Sequence, residues 1–273
     1  MFNKLKALIL AASLIITFNG CSEDDDGIEC EFIPFNAFTI AQDRELGMQV
    51  EAQIAAATTE YAIIPESQNA AAYAYLRNIR DKILNSGNVK NKDNFEWKLY
   101  LIKDDNTLNA FCTPGGYIYV YTGLIKFLDT EDDLAGVMGH EIAHADKRHS
   151  SKSMTTQYGV DAVLKIVLGT GDPDLLTQIA SQLGTLKYSR CHESEADAAS
   201  VDYLSGTSYR CNSAATFFQK LEAQGGGSTP TFLSTHPAPA NRIEDINKRA
   251  ADKGCRTTGS TSDPAYQTFK NSL

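Results

Sequence analysis

Apolar positions recur at helical spacing along most of this chain, and they alternate as in a strand in only two places. From Ala41 to about Leu84 the pattern is helical, with Pro65 dividing it in two. The second half carries Ala72, Tyr75, Leu76, Ile79 and Ile83 on one stripe. Between Phe95 and Lys103 the period changes to two, with Phe95, Trp97, Leu99 and Leu101 on one face. Asp104 and Asp105 then mark a turn. The run Tyr117–Tyr121, all aromatic or β-branched, follows the turn signal Pro114-Gly115-Gly116 and reads as another strand. Helical spacing resumes at Thr130, whose pairing with Asp133 three residues on predicts a capping box and a helix through about His149. Further helices are expected over 153–168, 173–204, 211–223 and 238–251, with Gly225–Gly227 a flexible loop and 252–273 a polar, irregular tail. The pattern is therefore α+β: mainly helical, with a small sheet.

The beginning of the chain is of another kind. Lys4 and Lys6 precede an apolar run from Ala7 to Ile16, too short to span a bilayer and suited to the core of a secretory signal. It ends at Phe18-Asn19-Gly20-Cys21, which resembles the processing box of bacterial lipoproteins. On that resemblance, residues 1–20 are a signal peptide and Cys21 is lipidated, anchoring the protein to a membrane. Residues 21–37 then form an acidic tether containing Ser22, Glu23, Asp24, Asp25 and Asp26. The serine and the acidic run resemble signals that send lipoproteins to the outer membrane, facing the periplasm or the cell surface. The folded domain is expected over 38–251.

Composition narrows the function classes. Hydrophobic residues make up 42% and charged ones 22% of the 273 residues, as in an ordinary globular protein. The net charge of −9 argues against nucleic acid as a partner. Beyond Cys21 five cysteines remain, Cys30, Cys112, Cys191, Cys211 and Cys255, with no CxxC pair to suggest a thiolate metal site.

The chemistry lies in His140-Glu141-Ile142-Ala143-His144, an HExxH match inside a predicted helix. Residues four apart sit one turn apart on one face, so both imidazoles reach one metal ion. Glu141, about 100° round the helix, is placed to take a proton from water rather than to ligate. A catalytic zinc needs a third protein ligand. The extended HExxHxxGxxH motif fails at Lys147 and Ser150, and His149 would lie half a turn away, as a surface histidine. The better source is His192-Glu193-Ser194-Glu195-Ala196-Asp197. There Glu193 and Asp197 share a helix face: Glu193 can ligate, and Asp197 can accept the outer N–H of a histidine ligand. Glu195, facing away, and His192 are the alternatives for the ligand.

Several motifs in this order resemble the gluzincin zinc metallopeptidases that include the HtpX heat-shock protease, the periplasmic BepA protease and the CAAX prenyl endopeptidase. They are Asn109-Ala110-Phe111, Pro114-Gly115-Gly116, Thr122-Gly123-Leu124, His140–His144, Glu193–Asp197, Ser234-Thr235-His236-Pro237 and Arg242-Ile243. The resemblance implies a zincin-like fold and one zinc ion held by His140, His144 and Glu193. It also implies Glu141 as catalytic base and Asp197 as support behind a ligand. His236 is expected to act as a second catalytic donor or as a latch over the metal. Arg242 is expected to bind a carboxylate or cap a helix, and the strand at Asn109–Cys112 or Tyr117–Tyr121 to offer an exposed edge to a peptide. The chain resembles the soluble exported branch, but without evident tetratricopeptide repeats. The implied activity is endopeptidase cleavage of peptides or misfolded envelope proteins. The alternative is a chaperone-like, peptide-binding lipoprotein with little turnover.

Overall fold

A computed structural model describes residues 36–223, 231–237, 241–259 and 262–273. The expected signal segment, Cys21, nearly all of the acidic tether and the Gly225–Gly227 loop lie outside them. Helices α1 (Ile40–Ala56) and α2 (Ala70–Leu84) lead into strands β1 (Leu99–Ile102), β2 (Ala110–Thr113) and β3 (Tyr117–Tyr121). Then follow α3 (Thr122–Phe127), α4 (Glu131–Asp146), α5 (His149–Tyr158), α6 (Val160–Val167), α7 (Pro173–Gln182) and α8 (Arg190–Ser205). The last helices are α9 (Ser213–Ala223), α10 (Thr231–Thr235), α11 (Arg242–Lys253) and α12 (Pro264–Asn271).

The sheet order is β1-β3-β2. β3 runs parallel to β1, with Leu99 opposite Ile118, and antiparallel to β2, with Ala110 opposite Val120. The β2–β3 turn needs both of its glycines: Gly115 and Gly116 have φ of 78° and 83°, where a side chain is strained. β1 starts later than the period-2 pattern predicts, because Trp97 takes a positive φ of 48° and breaks the extended run. Alternation across the sheet explains why β3 is buried throughout. Leu99, Leu101, Ala110, Cys112, Ile118 and Val120 join one core with residues of α2, α4, α8 and α9. Phe111, Tyr117, Tyr119 and Tyr121 join a second with residues of α1, α6 and α7. Packed on both faces, neither side of the sheet can be polar.

α4 opens with the expected capping box, in which the Thr130 hydroxyl and the Asp133 carboxylate exchange hydrogen bonds with each other's backbone N–H. From Asp133 to Asp146 every residue of α4 is buried, a far deeper placement than its apolar flanks implied. Small residues permit it: a Cβ on Gly136 would lie 2.5 Å from the Ala214 backbone nitrogen.

Three expectations are corrected. The segment 153–168 is two helices, α5 and α6, parted at Gly159 with φ 85°. The segment 173–204 is also two, because residues 183–189 interrupt it and the Ser189 hydroxyl caps α8 by accepting the His192 N–H. The tail is not irregular. Asp263 caps α12, Pro264 supplies its first turn, and Tyr266 and Phe269, three apart, are buried. Cys211 and Cys255 form a disulfide joining the approach to α9 with the end of α11. No helix among the described residues is long and apolar enough to cross a membrane.

Candidate metal centre

α4 and α8 cross closely, with Ala196 fully buried and Ser200 facing Gly139. The crossing sets His140 and His144 against Glu193, and the chain beyond α10 adds His236. One donor atom from each of these four lies within 4.8 Å of all the others, and all four residues are buried. The individual spacings are tighter. His140 Nε2 and His144 Nε2 are 2.9 Å apart, and Glu193 places Oε2 3.4 Å from the first and Oε1 3.3 Å from the second. Ligands at about 2.0–2.1 Å around a tetrahedral zinc sit about 3.3 Å from one another. The donor set therefore fits one such ion, and His140, His144 and Glu193 are placed to hold it.

The charge states of His144 and Glu193 suit ligation. Burial holds His144 well below the usual imidazole range, against the pull of Glu193, so its nitrogens stay neutral. Burial also opposes protonation of His140, but Asp197 and Glu193 outweigh it and push it up to about 9, so a metal must displace a proton there. For Glu193 burial alone would raise the carboxyl. The imidazoles facing it, His236 first and then His144 and His140, hold it well below the carboxylate range instead. Glu141 is fully buried and pushed up by that burial, against His236 and His140. Neither of its oxygens has a hydrogen-bond partner among the described residues. His236 Nε2 lies 3.5 Å from Oε1. A buried carboxylate so poorly supported is costly unless water or a cation completes it.

Behind the ligands, His140 Nδ1 lies 2.9 Å from Asp197 Oδ1. Arg242 faces the donor cluster. It is 4% exposed, with its guanidinium 2.8 Å from both Glu193 Oε2 and Asp197 Oδ1 and stacked 3.7 Å above the Phe218 ring. The carboxylates it binds here are the protein's own.

The edge expectation is corrected in part. β3 is the central strand. β2 is an edge strand, but all four of its residues are buried. The Tyr121 N–H donates to Asn109 O, which sets the alternation: Phe111 and Thr113 turn their backbone groups to β3, Ala110 and Cys112 to the free side. The Asn109 side chain donates to Gly184 O, and the Phe111 ring stacks on Tyr119. The Ser150 hydroxyl donates to Cys112 O, and Tyr188 N–H to Thr235 O, tying together two segments beside this edge.

His149 is a further correction. α4 ends at Asp146 and Arg148 takes a left-handed conformation (φ 62°), so His149 starts a new helix and turns back to His144 instead of lying on the surface. Lys147 and Arg148, basic residues closing a buried run, are the one mark of that helix end in the sequence. Tyr188, whose ring stacks 3.9 Å from that of His144, had no signature at all. His192 is buried but outside the donor cluster, and Glu195 is half-buried, paired with His149 and Lys147.

The family model for peptidase family M48 matches residues 70–250, spanning both ligand helices and the segment with His236. The chain belongs to peptidase family M48. Its relatives include a putative beta-barrel assembly-enhancing protease of Vibrio cholerae, 33% identical over 64% of this chain and 38% of that protein. The metalloprotease LoiP of Escherichia coli is 28% identical over 93% of this chain and all of that protein. The mitochondrial metalloendopeptidase OMA1 of Schizosaccharomyces pombe is 32% identical over 59% of this chain and 48% of that protein. This M48 chain is thus matched along the full length of LoiP but along less than half of the other two. Its three metal donors come from α4 and α8, inside the matched region.

Proposed function

We propose that this protein is a zinc-dependent endopeptidase of the bacterial cell envelope, cleaving peptides or misfolded proteins. The observation that carries the reading is the tetrahedral spacing of the His140, His144 and Glu193 donors beside the buried carboxylate of Glu141. Zinc bound there supplies a Lewis acid for the attacking water and the scissile carbonyl. Glu141 takes the proton of that water and delivers it to the leaving amine; its burial raises its basicity toward this task. Asp197 and Arg242 hold the ligands in place, Asp197 beside His140 and Arg242 against Glu193. A peptide adds along the free side of β2 at Ala110, reading backbone more than side chains, which gives broad sequence tolerance.

His236 acts as a latch rather than as a second catalytic donor. Its Nδ1 lies 3.1 Å from Glu193 Oε1 and 3.4 Å from His140 Nε2, the position of a fourth metal ligand. A catalytic zinc keeps that position open, so this conformation is a closed one. The latch reading expects His236→Ala to turn over an unfolded substrate faster than the natural protein, measured as initial rate at saturating zinc. A loss of rate would instead make His236 a catalytic donor.

The N-terminal signal, lipidation at Cys21 and placement at the outer membrane, facing the periplasm or the surface, complete the proposal. It rests on the sequence there and on the metalloprotease relatives LoiP and the assembly-enhancing protease. The deciding experiment compares the zinc-loaded protein with Glu141→Gln on an unfolded protein. Cleavage should fall by about 100-fold or more with zinc content unchanged. Unchanged cleavage would defeat the role of Glu141, and binding without cleavage by the natural protein would favour the chaperone-like alternative.

A further inference from the structure

The two histidine ligands are supported in different ways. His140 has a carboxylate, Asp197, directly behind it. His144 has a second imidazole. With Nε2 turned toward His140 and Glu193, its remaining nitrogen, Nδ1, lies 3.0 Å from His149 Nδ1. Both rings are completely buried. His149 in turn places Nε2 3.1 Å from Glu195 Oε2.

This row admits one arrangement of protons that leaves His144 able to ligate. A carboxylate only accepts, so the His149 proton sits on Nε2 and is donated to Glu195. His149 Nδ1 then carries a lone pair and accepts from His144 Nδ1–H. That proton position leaves the His144 Nε2 lone pair free for a metal. The opposite order would point an N–H of His144 into the donor cluster. The ring of His149 is held for this purpose. It stacks on His192 at 4.3 Å and 14°, and the left-handed Arg148 that turns the chain back is pinned by Asp43 and by the Phe38 carbonyl. Lys147, 3.2 Å from Glu195 Oε1, steadies the far end.

We propose that His149 is a positioning residue for the ligand His144, relaying the Glu195 carboxylate to it through one buried imidazole. The proposal rests on the reading of the cluster as a metal centre and adds the device that fixes the tautomer of one ligand. Removing such support behind a ligand lowers metal affinity about 10–100-fold.

The test uses the full chain, with zinc affinity from chelator competition and the visible spectrum of the cobalt-substituted protein as readouts. His149→Phe keeps the ring and its stacking on His192 but has no nitrogen to accept; zinc affinity should fall about 10–100-fold and the cobalt bands should shift. His149→Asn presents an acceptor near the position of Nδ1 and should recover most of that loss. Glu195→Ala, at a half-buried position, leaves His149 in place and should cost about tenfold. If His149→Phe does not fold, Glu195→Ala decides alone. The proposal is overturned if Glu195→Ala and His149→Phe bind zinc as tightly as the natural chain. It is also overturned if Asn is as poor as Phe, since packing would then be all that His149 supplies. Failure of the natural chain itself to bind zinc would instead overturn the metal-centre reading.

Discussion

Arg242 is where a single side chain separates what a sequence can and cannot say. In the sequence Arg242 stands out only through the family-like Arg242-Ile243 motif, which leaves carboxylate binding and helix capping both open. Which carboxylates it binds is a matter of tertiary placement, and they are Glu193 and Asp197. Replacing it by methionine would leave two buried acids without their cation, at a cost of about 3–5 kcal/mol. A thermal or urea denaturation of the metal-free protein measures this. Asp105 gives a contrasting surface case. Lys126, and then the Thr122 hydroxyl, hold its carboxyl down to about 2. A depressed carboxyl stabilises the fold above its unfolded value, roughly 3.9, and that contribution is lost as pH falls toward 2. Asp105→Asn should therefore lower Tm slightly at neutral pH, by an amount equivalent to less than about 1 kcal/mol because the pair is exposed. The difference should vanish near pH 2.

Among the elements, the sequence foretold those whose signals are local. The Thr130–Asp133 box placed the start of α4, the two glycines placed the β2–β3 turn, and HExxH spacing brought the metal donors His140 and His144 together. What it missed depends on contacts between distant segments. The trimming of β1 follows from Trp97 turning its indole N–H to Lys92 O. The helix of the tail is stabilised by burial of Tyr266 and Phe269, which a polar average concealed. The end of α4 at Asp146 was missed, and with it the return of His149; no Gly or Pro announced that joint. The depth of α4 makes a sharp prediction. Gly136→Ala would drive a methyl into the α9 backbone at Ala214 and Ser213. The expected cost is about 1–3 kcal/mol, read as a lower Tm. Loss of zinc affinity should accompany it, because α4 carries two of the ligands.

For the molecule as a whole, the Cys211–Cys255 bridge joins residues 44 apart in sequence and closes a loop that holds α9, α10 and α11. It therefore encircles His236 and Arg242. Reduction should cost about 2–4 kcal/mol and be visible as a lower denaturation midpoint in thiol, with the natural chain and Cys255→Ser behaving alike. The sandwiching of the sheet between two cores was not legible in the sequence, since alternation identifies faces but not what covers them. Nor was the covering of the outer strand. That covering has a consequence beyond catalysis. A bare strand edge is a template on which any extended chain can add, including another copy of the same protein. Here the edge is bordered by Ser150 and by the tied segments at Tyr188 and Thr235. Whatever loosens those ties bares a surface prone to self-association, so they keep the strand from pairing with another copy of the chain.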